Sequence, residues 1–157
     1  LTISSPVGPL TLTQEGQALT GLYFGKWPSQ GREGPTPLLE EAARQLAEYF
    51  AGQRREFSLP LAPHGTPFQL QVWQALQAIP YGETRSYGEI AQAIGNPRAC
   101  RAVGMANHRN PLSIVVPCHR VVGATGSLTG YGGGLEAKRF LLDLERRVLE
   151  GTQPPTR

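Results

Sequence analysis

The spacing of the apolar residues changes once along this chain, and that change restricts the fold more than any other feature. Over residues 1–25 the runs "LTISSP", "LTLTQEG" and "ALTGLYFG" are short, rich in Thr, Leu and aromatics, and punctuated by Pro-Val-Gly-Pro and Glu-Gly-Gln. Such runs between turn signals predict a small antiparallel meander. From Leu38 onward the period is that of a helix. Leu38, Leu39, Ala42, Ala43, Leu46, Ala47 and Phe50 share one face, and Gly52 supplies a stop. Residues 26–36 form a Gly/Pro-rich loop, and "EFSLPLAPHGTP" is a linker. The expected class is α+β. An N-terminal unit of sheet plus helix covers residues 1–62, and a mainly helical unit covers 66–150.

In the second unit, "PFQLQVWQALQAI" places Phe68, Val72, Leu76 and Ile79 on one helical face, and "PYGETR" is a turn. Ser86 followed by Glu89 makes a capping box for "SYGEIAQAI", which stops at Gly95. Asn96 is expected to cap the next helix, with Pro97 in its first turn. Residues 86–107 thus form two short helices around a tight turn, a helix-turn-helix pattern. Two packed helices without a DNA role fit the same pattern. "LEAKRFLLDLERRVLE" is an amphipathic helix, and the tail "GTQPPTR" is expected to fray.

Charge is distributed unevenly. The chain has 157 residues and a net charge of +3. No acidic residue occurs from Ile90 to Leu135, whereas Arg98, Arg101, Arg109 and Arg120 do. An acid-free stretch with spaced arginines suits a polyanion such as DNA, and it also suits a merely solvated face. The segment "PRACRAVGMANH" carries small residues at Ala99, Cys100, Ala102, Gly104 and Ala106. They fit either tight helix packing or close approach to a narrow DNA groove, with Arg101 protruding.

The run "IVVPCHRVV" puts Cys118 and His119 side by side in what otherwise resembles a buried strand. A buried cysteine is usually a small hydrophobe, and Cys100 among alanines fits that description. Cys118 is flanked by Pro117, His119 and Arg120, which an inert core position does not need. A nearby imidazole and guanidinium would raise its thiolate fraction. Neighbouring side chains on a strand point to opposite faces, so His119 reaches Cys118 only if the chain turns at Pro117 or a water links them. His119 also needs an orienting acceptor, for which Glu145 is a candidate. No Cys-x-x-Cys or His-x-x-x-His spacing supports a metal, and "GYGGGLEAK" lacks the Gly-Lys-Ser/Thr ending of a phosphate loop. No metal or cofactor is expected. With no apolar stretch near roughly 18 residues, no signal peptide and no lipidation motif, the expectation is a cytoplasmic protein without membrane contact and with reduced thiols.

Together with "IPYGETRSYGEIA", "GNPRACRAVGMANHRNP" and "GYGGGLEAKRFLLDLE", the "IVVPCHRVV" run closely resembles one family, the O6-alkylguanine-DNA alkyltransferases (methylated-DNA–protein-cysteine methyltransferases). The likeness is dense from Thr66 to Glu145. Over residues 1–60 it rests on the arrangement of strands and helix. It implies direct repair of O6-alkylguanine, and of O4-alkylthymine, in double-stranded DNA, by a monomer that acts once and irreversibly. Cys118 matches the alkyl acceptor, His119 the residue that deprotonates it through a water, and Glu145 the carboxylate orienting the histidine. Tyr87 matches the tyrosine that helps rotate the nucleotide out and protonates the departing guanine. Asn110 matches the asparagine bracing the active-site turn. Arg101 matches the arginine that fills the vacated stack, on a helix laid in the minor groove with Ala99, Cys100, Ala102 and Gly104. Val121, Tyr131 and Gly132 match the lining of the guanine pocket. Three other readings lead to different experiments: an alkyltransferase-like recognition protein, which lacks the acceptor cysteine, a helix-turn-helix transcription factor, and a cysteine hydrolase.

Overall fold

Strands β1 (Thr2–Ile3), β2 (Leu10–Glu15) and β3 (Ala18–Phe24) form an antiparallel sheet in that order. The computed structural model describes residues 1–27, 34–131 and 133–155. Leu10, Leu12, Leu19 and Leu22 of the sheet are buried against helix α1 (Pro37–Phe50). Thr36 caps α1 by accepting from Leu39 N at 3.1 Å. The buried face of α1 runs through Leu39, Ala42, Gln45, Leu46 and Tyr49. It lies one step round from the face the periodicity suggested. Ala47 is exposed, and Tyr49 rather than Phe50 is the fully buried aromatic.

The linker after α1 is tied down along its length. Gln45 clasps Ser58, accepting from its N–H at 2.9 Å and donating to its carbonyl at 3.2 Å. Leu19 N donates to the Pro60 carbonyl, and Ala62 N to the Leu19 carbonyl, each at 2.8 Å. The prolines in this segment remove backbone donors and favour extended chain, which suits a strand-like path along a sheet edge.

Helix α2 (Pro67–Gln77) opens with a capping box between Thr66 and Gln69. Strand β4 (Arg85–Ser86) leads into α3 (Tyr87–Ala93), where the Ser86–Glu89 box forms as expected. Gly95, at φ 77°, closes that helix in the left-handed region. Helix α4 (Cys100–His108) begins later than Asn96 and Pro97 suggested. Ala99 occupies the cap position without a side-chain bond, and Ala99 N donates to the Asn96 carbonyl at 3.0 Å. Asn96 to Ala99 therefore form a turn that puts Pro97 at its second position, where the fixed φ of proline suits a turn as well as a helix start.

The run Ser113 to Val116 is a set of turns rather than a strand. Ile114 has φ 72°, a strained value for a β-branched residue, and Pro117 has φ −79° and ψ 63°. Both break an extended path. The chain then makes a 3₁₀ turn over Cys118–Arg120 and enters β5 (Val121–Val122), which pairs in parallel with β4. Helix α5 (Leu135–Leu149) completes the fold. The start of the tail is held, since Thr152 N and Oγ1 both donate to the Arg147 carbonyl, at 2.8 and 3.0 Å. Residues 156–157 lie outside the described residues.

The architecture is α+β, as expected. One apolar core joins Leu10, Leu22 and Leu46 to Val72, Leu112, Val121 and Leu144, so the sheet and the helices share their interior. Among the described residues no helix is long and apolar enough to cross a membrane.

Candidate active site

One side chain, Asn110, braces the turns that replace the expected strand. Asn110 Nδ2 donates to the Val116 carbonyl at 2.9 Å, and Asn110 Oδ1 accepts from Leu112 N at 3.0 Å. The buried amide thereby adds side-chain bonds to a segment that is also bonded to itself, with Val116 N donating to the Leu112 carbonyl at 2.9 Å and Cys118 N to the Val116 carbonyl at 2.7 Å. The turn delivers Cys118 to a position only 3% exposed, with Asn107 Nδ2 3.4 Å from its carbonyl. Because Cys118 and His119 sit on a 3₁₀ turn, the opposite-face restriction of a strand does not apply to them.

His119 and Glu145 are both fully buried. Three donors converge on Glu145 Oε2: His119 Nε2 at 2.7 Å, Tyr49 Oη at 2.6 Å and Arg120 Nη2 at 3.0 Å. Two more reach Oε1: Arg120 Nε at 2.8 Å and Gly82 N at 3.1 Å. Burial by itself would raise this carboxyl, but the charges and hydrogen bonds of His119 and Arg120 outweigh it and hold Glu145 well below the usual carboxylate range. For His119 burial wins, pushing the imidazole below its ordinary value against the pull of Glu145. The pair is therefore an ionised carboxylate holding a neutral imidazole. A carboxylate only accepts, so the imidazole hydrogen is on Nε2. His119 Nδ1, buried and without a hydrogen-bond partner among the described residues, is left as the basic nitrogen.

Arg120 does not activate the thiol in the manner its position in the sequence suggested. Its guanidinium turns to Glu145 and to the Ile79 carbonyl, at 2.8 Å, and lies 5.5 Å from the centre of the Tyr81 ring. It is nearly buried, so it also leaves the cationic surface expected from the charge pattern. Burial pushes the Cys118 thiol up, and Asn110 and the positive charge of Lys138 only partly offset this. At rest Cys118 is a thiol, and its proton must be removed during the reaction.

Lys138 was not singled out in the sequence. It is fully buried and donates to the carbonyls of Val121 at 2.6 Å and Thr129 at 3.2 Å. Burial lowers its pKa, against the attraction of Cys118. The signal was present: Lys138 and Glu145, seven residues apart, both fall in the apolar stripe of α5 with Ala137, Leu141 and Leu144. Charges in a buried stripe call for partners. Tyr49 was also missed, because a tyrosine on an apolar helix face does not announce what its hydroxyl meets.

The parallel pairing of β4 with β5 sets Arg85 against Val121, directly after the cysteine turn, and Tyr87 follows at the start of α3. Tyr87 Oη makes a short hydrogen bond with Thr129 Oγ1. Tyr131 is buried, with its ring edge-on to Phe24 at 5.4 Å. Its hydroxyl neighbours the Cys118 and Ser113 side chains without a well-aligned hydrogen bond, and burial first, then the charge of Cys118, push it well above its ordinary value. Val121 is buried at the same place. Gly132 lies outside the described residues.

Helix α4 packs against α2 and α3, burying Val103, Ala106 and Asn107, and Trp73 Nε1 donates to the Ala106 carbonyl at 2.8 Å. Its outer face carries Cys100, Arg101, Ala102 and Met105, all exposed, with Arg98 and Arg109 exposed beyond its two ends. Ala99 is half-buried at the entry, and Gly104 backs onto the Tyr87 ring. Ala106 is thus a packing residue, whereas Cys100 and Ala102 leave a low, basic surface open. The structure brings together Cys118, His119, Glu145, Asn110, Val121 and Tyr131 in the interior and sets the Tyr87 ring against α4 at Gly104.

Comparison with known proteins shows the family. Two family models match, described as the 6-O-methylguanine DNA methyltransferase ribonuclease-like domain, over residues 1–63, and the DNA binding domain of the same name, over residues 67–147. A methylated-DNA–protein-cysteine methyltransferase of Methanosarcina acetivorans is 54% identical over 90% of this chain and 94% of its own length. The constitutive methylated-DNA–protein-cysteine methyltransferase of Bacillus subtilis is 53% identical over 92% of this chain and 93% of its own length. The crystal structure of Mycobacterium tuberculosis OGT in complex with DNA superposes with a TM-score of 0.87 at 55% identity, over 94% of this chain and 92% of that one. With a buried cysteine–histidine–glutamate cluster behind an exposed basic helix, and matches over nearly its whole length, the chain belongs to the 6-O-methylguanine DNA methyltransferase (methylated-DNA–protein-cysteine methyltransferase) family.

Proposed function

We propose that this protein repairs DNA by moving the alkyl group of O6-alkylguanine onto its own Cys118. The observation that carries the reading is the placement of a buried, protonated thiol on a 3₁₀ turn whose next residue, His119, is kept neutral by burial and is oriented by Glu145. The basic helix α4 enters the minor groove with its low face, and Arg101 takes the place of the damaged nucleotide in the stack. Attack inside a duplex is blocked, so the base leaves the stack, at a cost of a few kcal/mol. Val121 and Tyr131 line the pocket that receives it.

His119 Nδ1 takes the thiol proton through a bridging water, and the positive charge of Lys138 steadies the thiolate as it forms. Sulfur then attacks the alkyl carbon in line. The S–C bond forms as the C–O6 bond breaks, the electron pair goes to the guanine, and Tyr87 supplies the proton that keeps the guanine from leaving as an anion. The product thioether has no route back to a thiol, so each molecule reacts once. The protein works as a cytoplasmic monomer.

The test is intact-mass measurement with peptide mapping after mixing the protein with a duplex carrying one O6-methylguanine. One methyl group gained on the Cys118 peptide, saturating at one per molecule, is the expected result. Tight binding with no gain would make the protein a recognition module instead. A second experiment isolates Arg101. Arg101→Ala is expected to slow repair in duplex DNA by about ten- to a hundred-fold, the scale of the extrusion cost it offsets, while reaction with free O6-benzylguanine stays near the wild-type rate. Equal losses on both substrates would remove Arg101 from base extrusion.

A further inference from the structure

The N-terminal segment meets the acceptor half at several points, and one of them is chemical. Leu22 N donates to the Pro111 carbonyl at 2.8 Å, next to Asn110, and Phe24 supports Tyr131. These are packing contacts. The contact from α1 is different: Tyr49, fully buried, sends its hydroxyl 2.6 Å to Glu145 Oε2, the same oxygen that receives His119 Nε2.

We propose that Tyr49 is a positioning residue of the alkyl-transfer reaction, through which the N-terminal half sets the basicity of His119 by way of Glu145. This rests on the reading of His119 as the base and Glu145 as its partner. Packing alone does not account for the hydroxyl. The Tyr49 ring sits among Phe50, Phe57 and Tyr81, at 5.4, 5.5 and 6.2 Å between centroids, where a phenylalanine would fit as well. A buried hydroxyl is costly unless bonded, and Glu145 is the partner it has. Burial, reinforced by the Glu145 charge, holds the phenol well above its ordinary value, so it stays a donor.

The consequence follows from competition at one oxygen. Tyr49, Arg120 and His119 all draw on the electron density of Oε2. With the Tyr49 hydrogen bond removed, more of that density faces His119, and the imidazolium form gains stability. The other groups bearing on the pair stay in place: Arg120 on the 3₁₀ turn, Lys138 on α5, Tyr81 before β4 and Tyr131 before α5. His119 is then protonated, and unable to act as base, up to a higher pH.

The experiment is the pH dependence of the single-turnover transfer rate in the full-length protein. Tyr49→Phe is expected to move the acid limb upward by roughly one pH unit, so that the variant is about ten-fold slower below the limb and within about two-fold of wild type at high pH. A role in packing would change the rate evenly and leave the limb in place. Should the phenylalanine variant fold poorly, 3-fluorotyrosine placed at position 49 alone keeps the shape and strengthens the donor, and the limb should move the other way. His119→Gln separates the two levels of the claim. If that variant transfers at the wild-type rate, the base reading itself is wrong. If it is slow and neither change at Tyr49 moves the limb, only the role of Tyr49 falls.

Discussion

Cys118→Ala is expected to abolish alkyl transfer while binding duplex DNA within about two-fold of wild type. The loss should be complete because no second thiol is near. Cys100, the other cysteine, is exposed on the outer face of α4. Besides the Asn110 amide and the Lys138 ammonium, which is committed to two backbone carbonyls, the side chains beside Cys118 are the hydroxyls of Ser113 and Tyr131, and burial holds the latter protonated. Neither is a nucleophile at neutral pH without a base aligned on it. Binding should survive because the thiol takes no part in the basic surface. Cys118 is 3% exposed, whereas Arg98, Arg101 and Arg109 face solvent on or beside α4. Removing one buried sulfur leaves a small cavity, at a cost of about 1 kcal/mol, too little to unfold a domain of ordinary stability. Mass measurement after incubation with an O6-methylguanine duplex, alongside a binding titration, checks both halves. Methyl still gained by the variant would overturn the acceptor assignment. Loss of binding together with transfer would mean that the cysteine turn shapes the DNA surface.

The elements of this fold were largely legible because they depend on local spacing. The β2–β3 hairpin, the stripe of α5 and the Ser86–Glu89 box are each determined within a few residues. The Asn96 boundary was not, because an Asn-Pro pair opens a turn as readily as it caps a helix. The segment from Ser113 to Pro117 misled for a deeper reason. Its composition favours a strand, and what bends it is the Asn110 amide together with backbone bonds within the turns, and surroundings that hold Ile114 at a positive φ. The Cys-His-Glu grouping came from family resemblance. Lys138 was within reach of periodicity alone, as a cation in a buried stripe. Arg120 shows the limit of counting charges, since adjacency to Cys118 suggested thiol activation and the folded chain gives its guanidinium to Glu145. The contact between Tyr49 and Glu145 spans 96 positions and leaves no local trace.

Glu145→Gln is expected to cost about 3–5 kcal/mol of stability and to slow transfer by about a hundred-fold or more. The change keeps the shape and removes the charge, so its effect is electrostatic. Arg120, which is nearly buried, loses its counter-charge. Hydrogen bonding fails as well. Donors approach both carboxylate oxygens, His119, Tyr49 and Arg120 at one, Arg120 and Gly82 at the other. A glutamine must present its own N–H₂ to one of these sets, whichever way it is turned. With its N–H₂ turned to His119 the glutamine faces Nε2 with a donor, and with its carbonyl there it still lacks the charge that steadies the imidazolium as it forms, so general-base removal of the Cys118 proton is impaired either way. The pH dependence of stability distinguishes this account from simple mispacking. The folded-state pKa of Glu145 lies below the ordinary carboxylate value of 4.5, so its contribution is complete above that pH and drains away as pH falls through the folded value. The gap in unfolding free energy between wild type and variant should therefore be full at neutral pH and shrink below about pH 4, as the unfolded chain takes up its proton before the folded one. His119, buried neutral and lowered, also loses stability towards acid, and without the upward pull of Glu145 it loses more in the variant, so the gap widens somewhat through the imidazole range before Glu145 takes up its proton and the gap shrinks. Denaturant unfolding of the two proteins across that range measures the gap. A gap that held constant into strong acid would mean that the loss comes from packing, and that the charge on Glu145 does not hold this site together.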